Sequence, residues 1–237
     1  MVYTEELLNN NINGAYGLII NELINLKRKT PKAKLYRAFF MLLVAGVGYL
    51  LNHTFWTGWV LVPSLFLVVF IFGYFKQRSA LERLNNLRFD PVFWQRFDQR
   101  HTQILPHSAL RIGISERQLI EQGFKDYVGL HILQRGSYAM PSQAVDALWH
   151  VMLEFPAQYA AFCQQSVGRY INHRSYDPSS DSNADLSKNQ QLKQLCGTWR
   201  FSCMLADQRP RETNVLPRLF AIDTALNWPN AQAYTVA

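Results

Sequence analysis

The sequence predicts a mainly α protein in which a two-helix transmembrane hairpin is joined to a mostly helical cytoplasmic domain. Three observations carry that prediction. From Ala38 to Phe75 there is no Asp, Glu, Lys or Arg, and basic residues crowd both borders of the run. One helix over the whole run would be about 57 Å long, nearly twice a hydrocarbon thickness of about 30 Å. Two spans are therefore expected, Ala38 to Leu51 and Trp59 to Phe75, separated by the polar and flexible residues Asn52, His53, Thr54, Thr57 and Gly58. Beyond the run, apolar residues recur at three- and four-residue steps between Pro, Ser and Gly punctuation, the pattern of amphipathic helices.

Before the hairpin, residues 1–37 read as an amphipathic helix and a basic linker. Leu7, Leu8, Ile12, Tyr16, Ile19, Ile20, Leu23 and Ile24 give the helix Glu5 to Leu26, and Lys29 to Lys34 with Pro31 gives the linker. The hairpin occupies 38–75. Its orientation follows from charge, because Lys and Arg near span ends stay on the cytoplasmic side. Lys27, Arg28, Lys29, Lys32, Lys34 and Arg37 lie before the first span, and Lys76, Arg78, Arg83 and Arg88 after the second. The connecting turn has no such residue, so both termini are expected in the cytoplasm. Trp56 and Trp59 at the turn, with Tyr36 and Tyr74 at the opposite ends, suit the two interfaces. The apolar run begins too far from Met1, and is too long, for a cleavable signal peptide.

Residues 76–237 form the cytoplasmic domain. Lys76 to Leu87 extends the second span as a helix with Leu81, Leu84 and Leu87 on one face, and Asp90-Pro91 marks a turn. Phe93, Trp94, Phe97, Ile104 and Leu105 supply a helix ending before Pro106. Ser115-Glu116-Arg117-Gln118 has capping-box spacing and starts a helix expected to end near Gly123. Tyr127 to Leu133 fits either a strand or a further helical turn. Ser142 is the expected cap of a helix burying Val145, Leu148, Trp149 and Met152, and Pro156 opens another to Val167, where Gly168 ends or bends it. Ser175 to Lys188 is polar and reads as a loop. The helix Leu192 to Leu205 places Leu192, Cys196, Trp199 and Cys203 on one face, which predicts core packing, and a Pro-punctuated tail follows with Leu216 to Asp223 as its apolar part.

The net charge of +7 suggests nucleic acid only until it is divided along the chain. Residues 89–237 carry 14 basic and 13 acidic side chains, so the excess belongs to the membrane borders, where it faces anionic lipid headgroups. Nucleic acid is excluded as a partner on that ground. The three cysteines Cys163, Cys196 and Cys203 are an odd number on the cytoplasmic side, so reduced thiols are expected. Asp177, Asp181 and Asp185 lack the spacing and glycine of a calcium loop. No phosphate-binding glycine loop, Gly-x-Ser-x-Gly or His-Glu-x-x-His is present, which removes positive support for kinase, hydrolase and dinucleotide chemistry.

One constellation can carry chemistry. Asp146 and His150 are four residues apart and so neighbours on one helix face. Three readings are open. Asp146 and His150 can be structural, the carboxylate accepting from backbone amides or the imidazole while Trp149 packs the core. Asp146, His150, Cys163 and His173 can converge on a transition metal, most naturally zinc. Alternatively Cys163 is a nucleophile with His150 or His173 as base.

The stretch Met140-Pro141-Ser142-Gln143-Ala144-Val145-Asp146-Ala147-Leu148-Trp149-His150, with Tyr159, Phe162-Cys163, Gly168-Arg169 and His173 after it, resembles the Val-Asp-x-x-Trp-His segment of glycine-rich domain-containing proteins. That family includes plant proteins and many uncharacterised bacterial ones. The resemblance spans Arg135 to Asp177 and implies a helical module with no assigned reaction. The glycine-rich part is absent, so the plant members' signalling role does not carry over. The expected function is a membrane-anchored interaction module at a bacterial inner (plasma) membrane, its partners the lipid bilayer and a protein. The alternative is a metal-dependent enzyme at the same face, using Asp146, His150, Cys163 and His173 with zinc.

Overall fold

The computed structural model describes residues 56–104, 112–173, 184–229, 231 and 233–236. The expected first span, the helix Glu5 to Leu26 and the basic linker lie outside them. Among the described residues the chain is mainly helical, without a strand.

The first helix, α1 (Trp56–Asn86), begins inside the expected turn and runs without interruption past Phe75, so the second span and its extension are one rod. One helix long and apolar enough to cross a membrane is thus present among the described residues, by length and composition, and its surroundings change along its length. Leu65, Phe66, Val68, Val69, Phe72 and Phe75 are exposed, whereas Leu81 and Leu84 are buried in the helical domain. Gln77 Nε2 donates to the Leu133 carbonyl at 3.2 Å where rod and domain meet.

Asp90 then turns the chain, its Oδ1 accepting from Val92 N at 3.0 Å, and α2 (Pro91–Ile104) starts on a proline whose missing N–H costs nothing at a first helical position. Phe93, Trp94 and Phe97 bury one face, and Trp94 Nε1 donates to Glu121 Oε1 at 2.6 Å.

The central helix is α3 (Ile114–Leu133), packed against α1 and three helices that follow it. Two expectations fail here. The residue capping α3 is Gly113, with no side-chain bond, so the box expected between Ser115 and Gln118 does not form, because Ser115 already lies inside the helix. Nor does the helix end at Gly123. It continues to Leu133, which settles Tyr127 to Leu133 as helix. A Cβ at Gly123 would lie 2.1 Å from Ile222 Cδ1 and 2.8 Å from Val145 Cγ2. The glycine therefore marks a close crossing of three helices, and burial on all sides offsets its cost in helix propensity, about 1 kcal/mol.

The helix α4 (Gln143–Leu153) is capped by Ser142 as expected, the hydroxyl oxygen accepting from Val145 N at 3.2 Å. A second cap comes from far along the chain. Asp223 accepts from the Ser142 hydroxyl at 2.6 Å, Gln143 N at 2.7 Å and Ala144 N at 3.1 Å, placing a carboxylate on the positive end of α4. Burial pushes the Asp223 carboxyl upward while these three donors pull it down. Asp223→Asn turns one amide donor toward Gln143 N–H and removes the charge, so a loss of about 2 kcal/mol is expected. Denaturant unfolding of the full chain checks it, and an unchanged midpoint would mean that the cap contributes nothing.

The short helix α5 (Pro156–Ser166) begins with Pro156 and ends where Gly168 takes φ +72°, its N–H reaching the carbonyls of Cys163 and Gln164. The next, α6 (Ala184–Leu205), starts within the segment expected to be a loop; 174–183 lie outside the described residues. Its expected core face holds only toward the C-terminal end. Cys203 is buried and Trp199 partly so, but Leu192 and Cys196 are exposed, because the face turned to the core runs through Leu195, Thr198 and Ser202. The tail forms α7 (Arg218–Leu226), closed by Asn227 at φ 50°. Arg218 and Asp126 of α3 are both buried and paired in fork geometry, 2.6 Å from Nε to Oδ2 and 2.8 Å from Nη2 to Oδ1.

Candidate metal-binding site

The site is built where α4 meets the segment after α5. Ser142 sets the start of α4, which puts Asp146 in its first turn and His150 one turn later on the same face. Asp146 Oδ2 lies 3.2 Å from His150 Nε2. The third group is delivered by a buried polar relay. Trp149 Nε1 donates to the Tyr159 hydroxyl at 2.9 Å, and that hydroxyl donates to the Ile171 carbonyl at 2.7 Å. With the left-handed turn at Gly168, this bond fixes the backbone two residues before His173. His173 Nε2 then sits 3.1 Å from Asp146 Oδ1, its ring edge-on to Trp149 at 4.4 Å between centroids and 4.4 Å from the ring of His150.

One donor atom from each of Asp146, His150 and His173 lies within 4.8 Å of the others. The site is graded in exposure: the His173 side chain is 10 % exposed, Asp146 34 % and His150 42 %. One flank is walled by Trp149, and the other opens to solvent. Two imidazoles on one carboxylate can share N–H donors with it, or all three can turn lone pairs on a cation, since nitrogen and carboxylate oxygen donors suit zinc and iron alike.

Cys163 does not join this group. Its thiol is fully buried, and burial raises its pKa against smaller lowering effects from the Ile171 backbone, Tyr159 and Arg169. A thiol held in its neutral form is a poor nucleophile and a poor ligand. Cys163 and Tyr159 occur one helical turn apart on α5, so the cysteine packs under the relay that carries His173. Spacing could not separate these two sides of one segment.

Sequence reasoning also overlooked His131. It is buried between Tyr127 and Tyr138, 5.3 and 5.0 Å between ring centroids, with neither ring nitrogen hydrogen-bonded. Arg169 donates to its backbone carbonyl at 3.5 Å. The only sign in the sequence was a histidine in an otherwise apolar Val128 to Leu133 stretch.

A family model described as UCP032817-like matches residues 80–237, from the last turns of α1 to the end of the chain. No curated protein and no solved structure matches the chain.

Proposed function

The chain belongs to the UCP032817-like family, and we propose that it is a membrane-anchored interaction module whose helical domain works at the cytoplasmic face of a bacterial inner membrane. The observation that carries this reading is the divided character of α1. Among the described residues it is the one helix long and apolar enough to cross a bilayer, and within Ser64–Asn86 only 6 % of its most apolar window is buried. A helix with exposed Leu, Phe and Val around most of its circumference needs an apolar surrounding that the domain does not supply. Lipid supplies it. The uncharged run back to Ala38 is long enough for a second span, and the basic residues on both borders favour a hairpin with both termini inside. The protein partner meets the open flank of Asp146 and His150, and the Val-Asp-x-x-Trp-His segment on α4 supports kinship with glycine-rich domain-containing proteins.

The test is alkaline carbonate extraction of membranes from cells making the full chain, with a reporter fused after Ala237. Retention in the pellet and reporter activity only in its cytoplasmic form are expected. Release into the supernatant would overturn the anchor, and an external reporter signal would overturn the orientation. A second reading, a metal-dependent enzyme at the same membrane face, is favoured by the convergence of Asp146, His150 and His173, with Cys163 outside the ligand set.

A further inference from the structure

The geometry points to a divalent transition-metal site, zinc or ferrous iron, formed by Asp146, His150 and His173 with one or more positions left for solvent. The ligands have separate origins. Asp146 and His150 form a half-site on one helix, preset by the i,i+4 spacing and by two caps at the start of α4. His173 completes it from a segment held by Tyr159.

The distances fit hydrogen bonds and a bound cation alike, and the choice of a cation rests on the donor set and its convergence on one point. Bonds of about 2.0–2.1 Å in a tetrahedron place neighbouring donors about 3.3–3.4 Å apart. The two carboxylate–imidazole separations, 3.1 Å from His173 to Oδ1 and 3.2 Å from His150 to Oδ2, engage different oxygens of Asp146, and a choice of one donor atom per residue lies within 4.8 Å throughout, so closure by about an ångström brings three donors onto one ion. The remaining His150–His173 separation is within 4.8 Å, and the half-exposed His150 is the ring free to close it. Both histidines present Nε2 to the same carboxylate, so one tautomer, with the proton on Nδ1, turns two nitrogen lone pairs toward a common point. Structural zinc is closed by four protein ligands, whereas three leave a place for water. Among the described residues the number is three, and the open side of the group lies past the half-exposed His150 rather than at the wall made by Trp149. Two histidines and one carboxylate are equally the donor set of non-haem ferrous sites, so the choice between the metals is left to measurement.

Tyr159 is a positioning residue in this scheme. It does not touch the metal, but its hydroxyl fixes Ile171 and thereby the approach of His173. Its loss should weaken binding without changing stoichiometry.

The experiment uses the full chain purified in detergent, without chelator or metal-affinity resin. Metal content is measured as isolated, then after stripping and titration with zinc alone, ferrous iron alone under anaerobic conditions, and cobalt(II) as a spectroscopic probe. One zinc or iron per chain is expected, with saturable uptake and cobalt bands of low-coordinate nitrogen and oxygen ligation; whichever native metal is retained identifies the site. Asp146→Asn, His150→Gln and His173→Gln should each lower affinity by more than about tenfold, and Tyr159→Phe by a smaller factor at unchanged stoichiometry. Cys163→Ser should leave affinity unchanged. His150 is half-exposed, so its variant tests the site with little burden on folding, and the wild-type titration stands if a buried variant fails to fold. No saturable uptake by wild type, or uptake unaffected by His150→Gln, would overturn the proposal and leave a carboxylate hydrogen-bonded by two imidazoles. The result is independent of membrane extraction, so a failed anchor and a failed metal site are separately visible.

Discussion

Arg218→Met should destabilise the helical domain by about 3–5 kcal/mol, the cost of breaking a buried ion pair by removing one partner. Arg218 and Asp126 lie 92 positions apart, both nearly inaccessible, and join the central helix α3 to the C-terminal α7 through two parallel bonds. Removing the guanidinium takes the two-pronged counter-charge from a buried carboxylate, in a medium that solvates charge poorly. The same logic makes the double variant informative. Asp126→Leu with Arg218→Met replaces both charges by apolar groups and should recover most of the loss, because the intact pair itself offsets a large desolvation penalty. Arg218→Lys should recover little, since an ammonium cannot reproduce the two-pronged geometry. Denaturant unfolding of the full chain in detergent, followed by tryptophan fluorescence, compares these three variants with wild type. If Arg218→Met costs under about 1 kcal/mol, the pair is not the buried link between α3 and α7 that its geometry describes.

This pair also shows where sequence reading stopped. Helices α4 and α5 were legible because their start signals are local: Ser142 accepts from its own helix three residues on, and Pro156 needs no partner at all. The central helix was not. Gly123 reads as a terminator, whereas Gly123 and Asp126 both take their meaning from α7, roughly a hundred residues downstream. A Cβ at Gly123 would overlap Ile222, Asp126 holds Arg218, and Lys125 donates to the Asn85 carbonyl at 2.9 Å while lying over the Phe89 ring. The apolar tail likewise hid Asp223, whose role is to cap a helix that already had a sequence-visible cap. At the candidate site the split is similar. Asp146 and His150 are adjacent by helical spacing alone, but His173 reaches them through a glycine turn and a tyrosine bond, and its place was suggested only by the family resemblance. Cys163 lay nearer to His150 in sequence than His173 does, yet it packs under the relay and stays out of the group. A period of 3.6 residues locates a face of one helix; it cannot say which neighbour that face meets.

Acid should weaken the fold in a defined window, and His131 is the group responsible. The residue is 7 % exposed, neither ring nitrogen has a hydrogen-bond partner, and burial lowers its pKa from 6.5 to about 4, with the Arg169 charge adding to the effect. The groups facing it are Tyr127 and Tyr138, both neutral in this range because burial raises them, and the Arg169 guanidinium. The native state therefore keeps a neutral imidazole where the unfolded chain binds a proton. The contribution is fully present above pH 6.5, falls as pH drops from 6.5 to about 4, and levels off below that, where both states are protonated. Over such a window one proton of difference amounts to about 3 kcal/mol. His131→Phe removes the titration and keeps a flat ring between the two tyrosines, so its stability should be nearly flat through the same window apart from contributions shared with wild type. The measurement is the difference in unfolding free energy between the two proteins at half-unit pH steps. It should widen in favour of the variant as pH falls toward 4. A difference that stays constant from pH 7 to pH 4 would mean that His131 takes up its proton in the folded protein as readily as in the unfolded chain, and that water reaches a ring the packing of Tyr127, Tyr138 and Arg169 keeps dry.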